Sequence, residues 1–140
     1  MPFYIAYRGD AGGASADYNE LRSQESMISI IVPCYNEQEA LPFFHEEVSR
    51  VLKEIGEDYE LLFVNDGSKD DTLKELKALS TKDPHVIYLS FSRNFGKEAA
   101  ILAGMKHAKG DLVTLIDADL QQRPEIVREM VQILDEHPEY

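Results

Sequence analysis

A chain of 140 residues has room for one domain with a sizeable core and is too short for two. Hydrophobic residues make up 44% and charged residues 29%, an ordinary balance for a soluble globular protein. The formal net charge of -12 excludes the basic surface that nucleic-acid phosphates require, so no nucleic-acid partner is expected. An anionic substrate would instead need a metal, backbone N–H groups or a few placed cations. Cys34 is the single cysteine, which rules out an internal disulfide and fits a reducing compartment. No apolar run approaches the roughly 20 residues of a membrane span. Residues 1–5 lack the basic start and long apolar stretch of a signal peptide. The expectation is a soluble, cytoplasmic chain.

Residues 1–26 are small, polar and aperiodic around Gly9 to Asp17 and read as a flexible leader, an appended extension or an upstream mis-start. An N-terminal strand or arm is the lesser reading. The folded part spans 27–140. Residues 28–32 form a β-branched apolar run stopped by Pro33, a buried strand. Residues 36–41 read as a helix entry, with Pro42 in the first turn and Phe43, Phe44, Val48, Val51, Leu52 and Ile55 at helical spacing up to Gly56. A second strand over 60–64 closes on Asn65-Asp66-Gly67-Ser68. The next helix takes Asp70 or Asp71 as its N-cap and runs through Leu73, Leu76 and Leu79. Residues 86–91 form a third strand. An Ala-rich helix over 98–108 stops at Lys109-Gly110, a fourth strand covers 111–116, and a fourth helix covers 124–136. This alternation predicts right-handed βαβ crossovers: an α/β, Rossmann-like, mainly parallel sheet with helices on both faces. Four strands would leave one sheet edge unpaired, which invites self-association.

Every predicted strand ends in polar residues: Tyr35-Asn36-Glu37, Asp66-Gly67-Ser68, Ser92-Arg93-Asn94 and Asp117-Ala118-Asp119. Ligands of open α/β sheets bind outside the carboxyl ends of the strands, so four polar tips on one edge predict a site. Two hard carboxylates there, Asp117 and Asp119, suit Mg²⁺ or Mn²⁺ carrying a phosphate-bearing substrate. His45, His85, His107 and His137 show no ligand spacing and read as surface or satisfied residues. Cys34, with no histidine in sequence reach, reads as a small buried hydrophobe.

Taken in order, Ile31-Val32-Pro33-Cys34-Tyr35-Asn36-Glu37, Val64-Asn65-Asp66-Gly67-Ser68 and Asp117-Ala118-Asp119-Leu120-Gln121 resemble the motifs of family two glycosyltransferases of the GT-A fold. Ser92-Arg93-Asn94-Phe95-Gly96-Lys97-Glu98-Ala99 looks like the branch that moves sugars onto polyprenyl or dolichyl phosphate, enzymes of cell-wall or polysaccharide biosynthesis. The resemblance covers residues 27–140 and only the nucleotide-sugar half of such a fold. It implies that Pro33 and Tyr35 flank the base, and that Glu37 accepts hydrogen bonds from ribose or base. It further implies that Asp66 accepts from a base N–H, with the backbone of Val64 beside it. Asp117 would touch the ribose or the metal shell near Ala118, Asp119 would bind the metal, and Gln121 could add a neutral oxygen. Arg93 and Lys97 are the cations near strand tips and would offset diphosphate charge. Gly67 and Gly96 would allow close approach of backbone. Each residue also has a plain structural reading: loop, turn, helix cap or solvated charge.

The resemblance implies a metal-dependent inverting transferase that takes a UDP- or GDP-sugar and passes the sugar to a lipid-linked phosphate. Its catalytic base would lie beyond Tyr140, and the full-length protein would sit at the cytoplasmic face of the membrane. A non-catalytic nucleotide-binding module is the competing reading. A dinucleotide-dependent oxidoreductase is disfavoured, because residues 33–39 contain no glycine for a pyrophosphate turn.

Overall fold

A strand buried on both faces must be mostly apolar at odd and even positions, and residues 28–32 meet that demand except at Ser29, whose buried hydroxyl accepts the Gly110 N–H. In the computed structural model, which describes residues 6–8, 27–119 and 125–136, they become the central strand of a five-stranded sheet. The elements are β1 (Ala6–Arg8), β2 (Met27–Cys34), α1 (Leu41–Ile55), β3 (Asp58–Asn65), α2 (Thr72–Lys82), β4 (Val86–Ser90), α3 (Lys97–His107), β5 (Leu112–Leu115) and α4 (Ile126–Glu136). The spatial order is β1-β5-β2-β3-β4. β2 is parallel to both β3 and β5, and β3 is parallel to β4. The α/β, Rossmann-like architecture is therefore as expected.

Strand alternation sorts the core into two layers. Ile28, Ile30, Val32 and Cys34 of β2 join Tyr59, Leu61 and Phe63 of β3 against Leu41, Phe44, Val48 and Leu52 of α1, Leu76 and Leu79 of α2, and Val127 of α4. On the other face Ile31, Val113 and Leu115 pack against Ile101, Met105 and Ala108 in and after α3. That helix crosses β2 and β3 closely, because Gly104 faces Ile31 so tightly that an added Cβ would lie 2.5 Å from its Cγ2. Arg50 of α1 pairs with Glu125, and Arg128 of α4 with Glu54, tying those two helices at the surface.

Several boundaries move. The first helix begins at Leu41 rather than at residue 36, because Asn36 adopts a left-handed φ of 54°. It ends as expected at Gly56, whose φ is 81° and whose N–H donates to the Leu52 carbonyl. β3 is longer than predicted at both ends, since parallel pairing to β2 continues to Asn65. The start expected for α4 at Pro124 lies outside the described residues. Within the predicted leader, Ala6–Arg8 pair antiparallel with Leu112, Val113 and Thr114. The edge beside β5 is therefore covered over three residues, and β4 is left as the edge with no neighbouring strand among the described residues.

One buried group strains the fold. Glu60 of β3 is 1% exposed; the Lys109 N–H donates to its Oε2 at 3.3 Å, while Oε1 accepts no hydrogen bond among the described residues. Burial pushes its carboxyl above the ordinary value, only partly offset by Lys109. A raised folded-state value means stability fully present below the unfolded value of about 4.3 and lost as pH rises through the folded one. Glu60→Gln should therefore gain about 1 kcal/mol over the parent at neutral pH, with the gain shrinking toward pH 4. Urea unfolding at several pH values checks this; a pH-independent difference would refute it.

Candidate functional site

Strands added to one side of β2 run outward to β4, whereas β5 returns to its other side. The loops after β2 and β5 therefore flank the point where the strand order reverses, with a crevice between them. The cleft found there has a volume of about 270 Å³ and is lined by Pro33, Cys34, Tyr35, Glu37, Asp66, Lys97, Asp117, Ala118 and Asp119. Of the residues anticipated from sequence, Pro33, Tyr35, Glu37, Asp66, Lys97, Asp117, Ala118 and Asp119 converge. Val64 does not, because it is fully buried inside β3 with Pro33 and Leu89 as strand partners. Arg93 does not line the cleft either; its guanidinium lies 4.3 Å from the Phe95 ring centroid. Gln121 lies outside the described residues.

The spacing of Asp117, Ala118 and Asp119 follows from strand alternation carried one step past β5. Ala118 is 2% exposed and packs into the larger core, which turns its two acidic neighbours to the cleft. Asp117 Oδ1 accepts from Lys97 Nζ at 2.8 Å, so the ion pair spans from α3 to the loop after β5. Four carboxylates, Glu37, Asp66, Asp117 and Asp119, line the cleft with one ammonium group. The strain shows on Glu37: burial first, then Asp119, Asp117 and Asp70, raise its carboxyl above the ordinary range. Burial, with Glu37 second, likewise pushes the Cys34 thiol up, keeping it a neutral wall rather than a nucleophile.

Side-chain hydrogen bonds to backbone hold the loops in place, and these escaped the sequence reading. Asn36 N donates to Ser68 Oγ at 2.9 Å, and Lys69 N donates to Asn36 Oδ1 at 2.8 Å. Glu37 N donates to Thr72 Oγ1 at 3.0 Å, and Asp71 N to Gln38 Oε1 at 3.2 Å. Asp70 receives the Thr72 N–H at 2.9 Å and its hydroxyl as well, so of the two aspartates expected at the N-cap, Asp71 takes the position and Asp70, one residue earlier, supplies the side-chain bonds. The available signal was the run of Asn, Ser, Asp and Thr, which favour such bonds over helix or strand.

Asp66 is 4% exposed, and Phe95 N, Gly96 N and Asn94 Nδ2 all donate to its carboxylate, at 2.7 to 3.2 Å. Gly67 beside it has φ 64°, and a Cβ there would sit 2.1 Å from the Arg93 carbonyl carbon. Only glycine fits both the left-handed backbone and that contact. His45 and His85, read as surface or satisfied residues, meet at Asp83: Nε2 of His45 and Nδ1 of His85 each lie 2.8 Å from one of its oxygens.

The model of glycosyl transferase family 2 matches residues 29–140. The chain belongs to that family. It is 45% identical over 105 residues to the prophage bactoprenol glucosyl transferase homolog of Escherichia coli K12, covering 75% of this chain and 34% of that protein. It is 42% identical over 110 residues to the undecaprenyl-phosphate 4-deoxy-4-formamido-L-arabinose transferase of Proteus mirabilis, covering 78% of this chain and 34% of that protein. Among solved structures, the mannosyltransferase PcManGT of Pyrobaculum calidifontis, in complex with GDP-Man and Mn²⁺, shares the fold with TM-score 0.66 at 22% identity. That match covers 79% of this chain and 32% of that one. The chain thus spans about a third of the curated relatives it matches, and its fold is of the GT-A type anticipated from the motifs.

Gly67→Ala should cost roughly 2–4 kcal/mol of unfolding free energy, combining left-handed strain with the clash on Arg93. Urea denaturation measures it, and a variant as stable as the parent would contradict the close approach.

Proposed function

We propose that this chain is the nucleotide-sugar-binding part of a family 2 glycosyltransferase that passes a sugar from a UDP- or GDP-sugar to polyprenyl phosphate. One observation carries the reading. The cleft at the reversal of strand order gathers Tyr35, Glu37, Asp117 and Asp119 with Lys97. Tyr35 is 41% exposed beside Pro33, an aromatic face open to a nucleobase. In this reading Glu37 accepts from ribose or base, and Asp117 touches the ribose or the metal shell with the backbone of Ala118 nearby. The names of the relatives above support a polyprenyl-phosphate acceptor, and a neighbour in shape that holds GDP-Man and Mn²⁺ supports the donor class.

The donor set suits a hard divalent ion. Carboxylates that raise one another's proton affinity, as Asp117 and Asp119 do for Glu37, are relieved by a cation. Mg²⁺ and Mn²⁺ sites commonly use one or two carboxylates and take further oxygens from substrate phosphates and water. Asp119 and Asp117 would hold the ion, with Gln121 as a further oxygen donor. When bound, it supplies Lewis-acid neutralisation of the charge left on the departing diphosphate. Lys97, at the first position of α3, brings a positive side chain of the cleft to the same diphosphate. In an inverting displacement the acceptor oxygen attacks the anomeric carbon opposite that leaving group. A phosphate acceptor arrives already anionic and needs no base from these residues.

Among the described residues no helix is long and apolar enough to cross a membrane. Placement of the full-length protein at the cytoplasmic face of a membrane belongs to the proposal. So does self-association through an open sheet edge, now that of β4, which light scattering over a concentration series tests.

UDP or GDP should bind tightly only with Mn²⁺ or Mg²⁺. Asp119→Asn should weaken that metal-dependent binding at least about tenfold, the scale on which site ligation contributes to affinity, without moving the unfolding midpoint. Calorimetry with metal against chelator decides: equal affinity in both sinks the metal role, and a lost unfolding transition makes Asp119 structural. A radiolabelled transfer assay separates the transferase reading from a binding module. The expected outcome is donor binding by this chain without turnover, and turnover by the full-length protein.

A further inference from the structure

Asp66 lines the cleft, yet most of its carboxylate is engaged by the protein itself. Its carboxylate is almost wholly buried and already takes the N–H groups of Phe95 and Gly96 and the amide of Asn94. A carboxylate accepts at about four lone-pair positions, so these three donors leave about one for a ligand in the cleft. The Asn94 amide also donates to the Asp66 carbonyl at 3.2 Å. Gly67 presses against Arg93 and Asn94, the Phe95 ring packs edge-on against Phe91 at 5.6 Å, and Arg93 covers its face. The whole turn over residues 92–96 is therefore moulded onto the tip of β3, with Asp66 at its centre. Gly96, with φ 106°, then starts α3, and the first residue of that helix is Lys97. Two peptide bonds separate the clamped Phe95 N–H from the residue whose ammonium reaches Asp117.

We propose that Asp66 is a positioning residue: its buried carboxylate fixes the 92–96 turn and so sets Lys97 across the cleft from Asp117, where diphosphate is bound. This rests on the reading of the cleft as a nucleotide-diphosphate site and adds to it a reason why a buried acid is required there. Charge-assisted bonds to two consecutive amides resemble an anion held in a backbone nest, with the protein supplying its own anion. Asn at this position would replace one acceptor oxygen with an NH₂ group facing those amide donors.

The test has a ligand-free arm and a ligand arm. In amide hydrogen exchange on the ligand-free chain, Phe95 and Gly96 should be protected. In Asp66→Asn they should exchange at least about tenfold faster, the loss expected for a charge-assisted bond, with β2 and β3 unchanged. Asn94→Ala removes one donor outside the core and should shift the same two amides less far in the same direction, which decides the matter if Asp66→Asn does not fold. The ligand arm uses pyrophosphate with Mn²⁺, which carries no base. Asp66→Asn and Lys97→Ala should each weaken it about tenfold, and the double variant should be no weaker than either single one. Unchanged exchange at Phe95 and Gly96 overturns the proposal, as does loss of UDP and GDP binding with pyrophosphate binding intact. If the parent chain binds no pyrophosphate with Mn²⁺, the nucleotide-diphosphate reading fails, and exchange alone then decides whether Asp66 holds the turn.

Discussion

The reversal of strand order at β2 is the constraint from which the site follows. β3 and β4 are laid down on one side of β2 with α1 and α2 over one face, and the chain then returns through α3 on the other face to place β5 on the opposite side. The loops after β2 and β5 lie on either side of this reversal and both lead to helices of the larger layer, and the cleft opens between them at the carboxyl edge. Nothing local to either loop requires it. The cleft persists because its floor is core: Cys34 and Ala118 are both nearly inaccessible and belong to the larger apolar layer.

Holding polar loops over an acidic cleft is an electrostatic problem, and the structure answers it mostly with dipoles rather than ions. The loop after β2 is tied to the loop after β3 through Asn36, Gln38, Ser68, Asp70 and Thr72. The loop after β3 is tied to that before α3 through Asp66, and α3 to the loop after β5 through Lys97 and Asp117. Hydrogen bonds from backbone amides fix these four segments while leaving the carboxylates of Glu37, Asp117 and Asp119 on the cleft wall. Because most of these ties use a neighbour's backbone and the last is an ion pair, displacement of one loop is transmitted to the next. The site is then a chain of dependencies, not a set of separate contacts.

A carboxylate's role is set by what surrounds it, and three acids here show the range. Glu60 is inaccessible, with one amide donor and a raised proton affinity. Asp66 is as nearly buried yet surrounded by donors, which makes its charge useful in place. Asp83 is drawn the other way: burial opposes its ionisation, but the bonds to His45 and His85 lower its proton affinity overall. In sequence all three are acids near a strand end or within one.

Fold class, the order of strands and helices, and most of the residues around the cleft were legible without coordinates. Apolar periodicity is a local property, and strand tips carry the loops that an open parallel sheet turns into a site. The Asp117-Ala118-Asp119 alternation was readable for the same reason, since it continues the period of β5. What sequence could not supply was the partner of each polar group. The short strand at Ala6–Arg8 exists through pairing with β5, not through its own pattern. Asn36 and Gly67 adopt left-handed backbone because neighbouring loops hold them there. Val64 and Asp66 sit two residues apart at the end of β3, yet one is sealed in the sheet and the other clamps a distant turn. Periodicity is encoded along the chain, so sequence determines it; burial and hydrogen-bond partnership depend on residues some 30 positions away, so only the tertiary structure decides them.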